Sequence, residues 1–521
     1  MTSSSRKSSS SELSICRASK PAECGSHAPL SHAHVRSIFY GLMLGMFLSA
    51  LNQTIVATAL PTIGRDFGDF ENLSWVIIAY LLSSTVVSPL YGKLSDIHGR
   101  RTMMLVAIGL FIAGSVMSAA APTMGLLIAG RTLQGIGGGG IVPLTQTTIA
   151  DMITPRERGH YQAYMGTSWI VAGVAGPALG GLIAEYLHWS MIFWLNVPFG
   201  LLAALLTHRA MKRLPRHERP HQLDIVGAAL MIAAATVFLI MLTSGGTRVP
   251  WMSPTIFVLA AVSLALGLAF VWWLKRAPEP FLPLTVLRNP VMRSGTAATS
   301  WMMGAVLGLT VFMPLYFQVV HKLSATDAGI ALIPIVLMTT PGSMLSGRSM
   351  MYLRHYKVSA IAGAVLTIAS VTALVAWPAM PLYGVVIALT LIGFGAGTVY
   401  PVATVSIQNA VPMHQVGTAT GAMNFFRALA STLAVAIMGA ILLAALGATP
   451  ERGGAGVEHL VTTAGAAGID MAAMFRWVFL AADMFVVAAL AAVLVMEERP
   501  LRGPASETVP VSSGAPPAPA E

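Results

Sequence analysis

The stretch that most constrains this chain is Val358–Phe426, 69 residues without one Asp, Glu, Lys or Arg. A helix needs roughly 20 apolar residues to cross the hydrocarbon core of a bilayer. The run is too long for one or two crossings, and Pro378–Pro381 and Pro412–His414 divide it at natural breaks. The signal recurs along the chain, in Ser37–Gly64, Asn72–Gly92, Gly159–Ala184, Tyr186–His208, Ile225–Thr247, Val249–Leu274, Ser294–His321 and Ala328–Gly347. Thr102–Ala150, broken at Ala121–Pro122, holds two more spans, and a last one lies near Met474–Met496. The pattern predicts an all-α polytopic membrane protein with 14 transmembrane helices. Composition agrees: 55% of residues are hydrophobic and 10% charged, against about 25% charged in soluble proteins. Soluble enzymes, disordered chains and nucleic-acid-binding domains are excluded on that ground.

The net charge of +10 is explained by topology. With the amino terminus inside, 24 Lys and Arg residues fall on the cytoplasmic side and five on the outer side. That asymmetry places both termini in the cytoplasm and removes any need for a nucleic-acid partner. Residues 1–36, Ser-rich and basic, and 499–521, rich in Pro and Ala, read as disordered cytoplasmic tails. Residues 451–470 form a Gly- and Ala-rich outer loop. Cys16 and Cys24 both lie in the first tail, so neither a disulfide framework nor a thiolate metal site is implied. No phosphate-binding loop and no zinc-protease motif is present, and no cofactor or metal is expected.

A shift of 258 residues aligns Gly135, Gly137, Gly139, Pro143, Ile149 and Gly159 with Gly393, Gly395, Gly397, Pro401, Ile407 and Gly417. Both segments run from a Gly-rich helix through a proline to a cytoplasmic turn. Transporters are often built from such repeats. The architecture becomes 6 + 2 + 6: a bundle over 37–210, a loop and two extra helices over 211–280, and a pseudo-symmetric bundle over 281–498.

The loop after the second span reads Gly92-Lys93-Leu94-Ser95-Asp96-Ile97-His98-Gly99-Arg100-Arg101. A carboxylate at a helix end facing arginines forms charge-assisted bonds that lock one conformation. Span 1 ends Leu51-Asn52-Gln53-Thr54-Ile55-Val56-Ala57-Thr58-Ala59-Leu60-Pro61, and span 4 begins Arg131-Thr132-Leu133-Gln134-Gly135. Span 5 carries Gly173, Gly176, Pro177, Gly180 and Gly181, followed by Trp189 to Pro198. Together these segments resemble the major facilitator superfamily, and within it the fourteen-helix drug:proton antiporter family. The resemblance covers Phe39 to Arg502. It implies the major facilitator fold, alternating access, export of amphiphilic small molecules, protons as the coupling ion and a bacterial inner-membrane location. A periplasmic adaptor protein is a partner by analogy only. The resemblance further links Gly92, Asp96, Gly99, Arg100 and Arg101 to a cytoplasmic gate, the span-5 glycines to antiport, and Arg131 to proton transfer.

Charges inside spans are costly and functional by default. Arg131 and Arg427 are the two basic residues within spans, and Asp483 is the one carboxylate at mid-membrane. Many members of the family carry Asp where Asn52 stands, and Asn cannot titrate. Asp483 is therefore a second candidate for proton coupling, or else a protonated acid facing a neighbouring helix. Asn52, Gln53, Thr54, Gln134, Gln318, Gln408 and Arg427 are candidates to line a substrate cavity. Arg427 could equally hold a helix–helix contact. With Asn52 in place of a carboxylate, neutral and anionic substrates stay open beside cationic ones. A proton-uncoupled facilitator, a membrane sensor and an exporter of one specific metabolite remain as alternatives.

Overall fold

A computed structural model describes residues 32–213, 224–246, 249–353, 355–445 and 471–501. The tails before 32 and after 501, and residues 446–470, which hold the outer loop expected over 451–470, lie outside the described residues. The main helices are α1 His32–Phe67, α2 Trp75–His98, α3 Arg100–Ala119, α4 Met124–Met152, α5 Pro155–Tyr186, α6 Met191–Ala210, α7 Ile225–Ser244, α8 Pro254–Leu274, α9 Pro290–Val320, α10 Thr326–Tyr352, α11 Lys357–Ala376, α12 Leu382–Ala410, α13 Val416–Ala445 and α14 Met471–Val495. Among the described residues, 13 helices are long and apolar enough to cross a membrane. The helix outside that set is α4. It has 29 residues, but Arg131, Gln134 and its glycines dilute its hydropathy.

Local chemistry sets the ends. Thr123, Ser253 and Asn289 accept hydrogen bonds from first-turn amides of α4, α8 and α9, and Pro254 and Pro290 occupy first helical positions, where no amide is needed. In α10 the helix breaks at Met338, just before Pro341, which has no N–H for the Leu337 carbonyl.

Several apolar cores result. Ile38, Tyr80, Met104, Phe111, Leu144 and Ala203 form one within α1–α6. Others within α9–α14 gather Leu309, Tyr316, Phe475 and Phe479, and Met302, Val399 and Val486. A further core is mixed: Val86 and Ala150 meet Met231 and Leu239 of α7 and Met292, Ala419 and Phe425 of the second half. Helix α7 thus packs along the seam between α2 and α13, whereas α8 buries only Ile256 and Leu274. Asp224 pins this pair, accepting from Gly227 N at the start of α7, Trp273 Nε1 at the end of α8 and Phe281 N beyond it.

The repeat is visible in three dimensions. Helices α4 and α12 have 29 residues each, and each pair of ends is related by the 258-residue shift. Gly135 and Gly139 abut α2 at the Tyr80 and Ser84 carbonyls, and Gly393 and Gly397 abut α10 at the Ile335 and Thr339 carbonyls. Gly137 packs on α3 at Ala107 and Phe111; Gly395 packs on α11 at Gly363. Lipid supplies no hydrophobic drive between helices, so close backbone approach at small residues carries the association.

Candidate functional site

Gly99, with φ of 85°, reverses the chain between α2 and α3 and leaves Asp96 at the end of α2. The Asp96 carboxylate accepts from Arg100 Nη1 at 2.6 Å. It also accepts from Gly417 N at 3.2 Å, Thr418 N at 2.8 Å and Thr418 Oγ1 at 2.7 Å. Those amides are orphan donors of the first turn of α13, where the helix dipole favours an anion. A carboxylate from the first half of the chain therefore caps a helix of the second half. Arg100 extends the latch, donating from Nε to Asp151 at 2.8 Å and from Nη1 to Ser95 Oγ at 2.6 Å. Arg101 turns the other way, and its Nη2 lies 3.0 Å from the His208 ring.

Beside the latch the two halves touch at backbone distance. A Cβ on Gly92 would strike the Gly417 carbonyl, and Gly159 and Gly347 abut each other at the same end of the molecule. Toward the opposite end, Val174, Leu182 and Tyr186 of α5 and Ile330, Ile333 and Leu337 of α10 are exposed.

A second cluster is sealed inside the first half. Arg131 is 1% exposed. Its Nε donates to the Val76 carbonyl at 2.9 Å and its Nη1 to Gln134 Oε1 at 2.6 Å. The guanidinium lies over the Tyr80 ring, 4.5 Å from the centroid. Gln134 passes the chain on, donating from Nε2 to Ser115 Oγ at 2.7 Å and to Asn52 Oδ1 at 3.1 Å. Asn196 Nδ2 approaches the same Asn52 oxygen at 3.3 Å, while Asn52 Nδ2 has no partner. No carboxylate pairs with Arg131 among the described residues. Carbonyl dipoles and an aromatic face replace the counter-ion.

The third cluster bridges the halves. Thr420, Asn424, Arg427 and Ser431 recur at helical spacing along α13. Asn424 Nδ2 donates to Gln146 Oε1 of α4 at 2.7 Å, and Asn424 Oδ1 accepts from Arg427 Nη2 at 2.6 Å. Arg427 is half-buried.

Among the described residues no group of three or more His, Cys, Asp or Glu could hold a metal ion. The ancestry follows from most of the chain. The family model described as Major Facilitator Superfamily matches residues 42–435. The chain belongs to the major facilitator superfamily. It is 31% identical over 409 residues to the multidrug transporter protein MdtP of Bacillus subtilis, covering 78% of this chain and 75% of that protein. It is 32% identical over 433 residues to an MFS-type efflux pump of Fusarium, covering 80% and 75% respectively. The human organic anion transporter MFSD10 shares the fold with a TM-score of 0.58 at 18% identity, covering 87% of this chain and 99% of that one. A proton:xylose symporter gives a TM-score of 0.54 at 14% identity, covering 86% and 96%. This major facilitator is an integral membrane transporter and not an enzyme.

The other residues singled out in the sequence take separate places in this transporter. Gly176 and Gly180 pack on the Thr54 and Thr58 side chains of α1, and Thr54 Oγ1 donates to the Ala172 carbonyl at 2.9 Å. A Cβ on Gly173 or Gly181 would meet nothing, and Pro177 sits within a continuous α5. Gln53 and Gln318 are half-buried. Gln408 lies at the latch end, donating to Thr420 Oγ1 at 3.3 Å and lining a cavity of about 280 Å³ with Asp151 and Arg158. Asp483 accepts from Thr372 Oγ1 of α11 at 3.0 Å, and its Oδ1 has no partner. Asn196 entered the sequence reading only as part of a motif. Ser115, Gln146 and Asn424 gave no signal there, because a lone Ser, Asn or Gln in an apolar run is common packing.

Proposed function

We propose that this major facilitator exports amphiphilic small molecules from the cytoplasm by proton antiport through alternating access. The reading has α4 as a fourteenth span, both termini in the cytoplasm of a bacterial cell, and six-helix bundles over 37–210 and 281–498. Helix α7 braces the seam, with α8 packed on it. The observation that carries it is the Asp96 carboxylate capping α13 across the bundle boundary. Such a bond exists only while the basic-loop end is shut, so it stabilises one of two states that a transporter must exchange. The exposed faces of α5 and α10 at the other end fit an outward-facing arrangement. Efflux and multidrug names among relatives at 31–32% identity point to export.

Proton coupling is assigned first to the Arg131 network, with Asp483 as the second candidate. Asn52 favours another reading, that of a facilitator without proton coupling. Inside-out vesicles loaded by a proton gradient separate the two. Gradient-driven accumulation of at least one dye from a panel of anionic, neutral and cationic amphiphiles, abolished by an uncoupler and by Arg131→Ala, is the expected result. Equilibration without accumulation, indifferent to the uncoupler, selects the facilitator.

A further inference from the structure

We infer that Arg427 is the headgroup site for an anionic amphiphile, a carboxylate or sulfonate on an aromatic or aliphatic body. The inference deepens the export reading by naming its substrate class.

Arg427 lies in α13 within a helix that crosses the membrane. Its hydrogen bond is to a neutral acceptor, Asn424 Oδ1 at 2.6 Å, and no ion pair involves it among the described residues. A guanidinium has five N–H donors, so most of its donor capacity is uncommitted. Asn424 is itself fixed, since its amide nitrogen is committed to Gln146 Oε1 and to the Thr420 carbonyl at 2.9 Å. The oxygen end therefore faces the guanidinium and aims it.

Every mapped carboxylate near a span is elsewhere. Asp96 and Asp151 bind Arg100, Asp224 pins α7 and α8, and Asp483 pairs with Thr372 between α11 and α14. On α1 the carboxylate expected from the family is Asn52, which is sealed into the Arg131 network. The result is a net positive centre where α4 of the first half meets α13 of the second. A half-buried cation without a counter-ion inside a membrane span is held at a cost unless a ligand supplies the charge. Aromatic side chains stand by: Tyr400 of α12 donates to Met303 Sδ of α9, and Phe426, next to Arg427 in α13, lines an apolar cavity with Trp301. A planar guanidinium matches carboxylate or sulfonate oxygens with two parallel bonds.

The test is equilibrium binding to the purified full-length protein in nanodiscs, with anilinonaphthalene sulfonate as the anion and tetraphenylphosphonium as the cation. Wild type should bind the sulfonate saturably, and equimolar phosphonium should not displace it. Arg427→Gln should weaken sulfonate binding at least tenfold and leave phosphonium binding within twofold, with Arg427→Lys in between. Displacement of the sulfonate by phosphonium in wild type, which needs no variant, overturns the inference. So does unchanged sulfonate affinity in a folded Arg427→Gln. Arg427-dependent binding without gradient-driven flux would sink the export reading and leave the anion site standing. Flux of phosphonium with no Arg427-dependent binding would do the reverse.

Discussion

Arg131 is held by shape and dipoles in place of a counter-ion. Its donors end on the Val76 carbonyl and Gln134, and Tyr80 covers its face. Truncation leaves Gln134 Oε1 unpaired and opens a void, a loss of about 3 kcal/mol. Arg131→Ala should therefore lower the thermal midpoint of the detergent-purified protein as well as abolish gradient-driven flux. Arg131→Lys should recover part of the stability, and an unchanged midpoint in the Ala variant would show that the network carries no structural load. This residue was legible because a cation inside an apolar run stands out without any fold. Its long-range partners were not, since the Val76 carbonyl lies 55 positions away and the Asn52–Gln134 contact joins residues 82 positions apart. Nothing local in the sequence marks such pairs. Arg101 shows the opposite case: it stands beside Arg100 in the motif, yet one residue of helical rotation sends it to His208.

At the scale of elements, α2 and α13 share both charge and backbone contact. Asp96→Asn keeps the size of the side chain and weakens the ion pair and the cap, about 1.4 kcal/mol or a tenfold shift in the balance of states. Gly92→Leu forces the Gly417 backbone away, and no flexible side chain can yield there. Spin labels on the exposed His98 and His414 positions, read by pulsed electron resonance, should show a longer-distance population in both variants, larger for Gly92→Leu. Distances that match wild type would remove the latch from the account. The glycine periodicity made the α4 and α12 repeat readable from sequence, because close approach demands the same small residue at the same place in both halves. The seating of α7 and α8 was not readable. Their sequences are apolar all round, so no face declares what it packs against, and the Asp224 clamp joins with the Met231 and Leu239 packing to fix it.

For the whole molecule, the basic asymmetry of the loops predicts a definite topology. With Cys16 and Cys24 replaced by Ser, a single Cys at Phe70, between α1 and α2, should react with an impermeant maleimide in intact cells. A single Cys at His98 should react only after permeabilisation, and the reverse pattern would invert the orientation. Apolar runs alone predict 14 crossings, of which 13 stand among the described residues as helices long and apolar enough to span, and α4 shows where that rule strains: a helix can be 29 residues long and still be too polar to pass on hydropathy. Such a helix is tolerable where its polar side chains face protein, as Arg131 and Gln134 do.

Helix α13 runs without proline from Val416 to Ala445, and it carries both the Asp96 contact at Thr418 and, nine residues further, Arg427. At a rise of about 1.5 Å per residue these lie about 14 Å apart on one stiff rod. No joint between them can absorb a displacement. On the proposed export reading, a molecule seated at Arg427 has direct mechanical access to the latch, and its residence time sets the dwell time of the closed end. Compounds that bind there most tightly should leave most slowly, and so act as inhibitors of the pump that carries them.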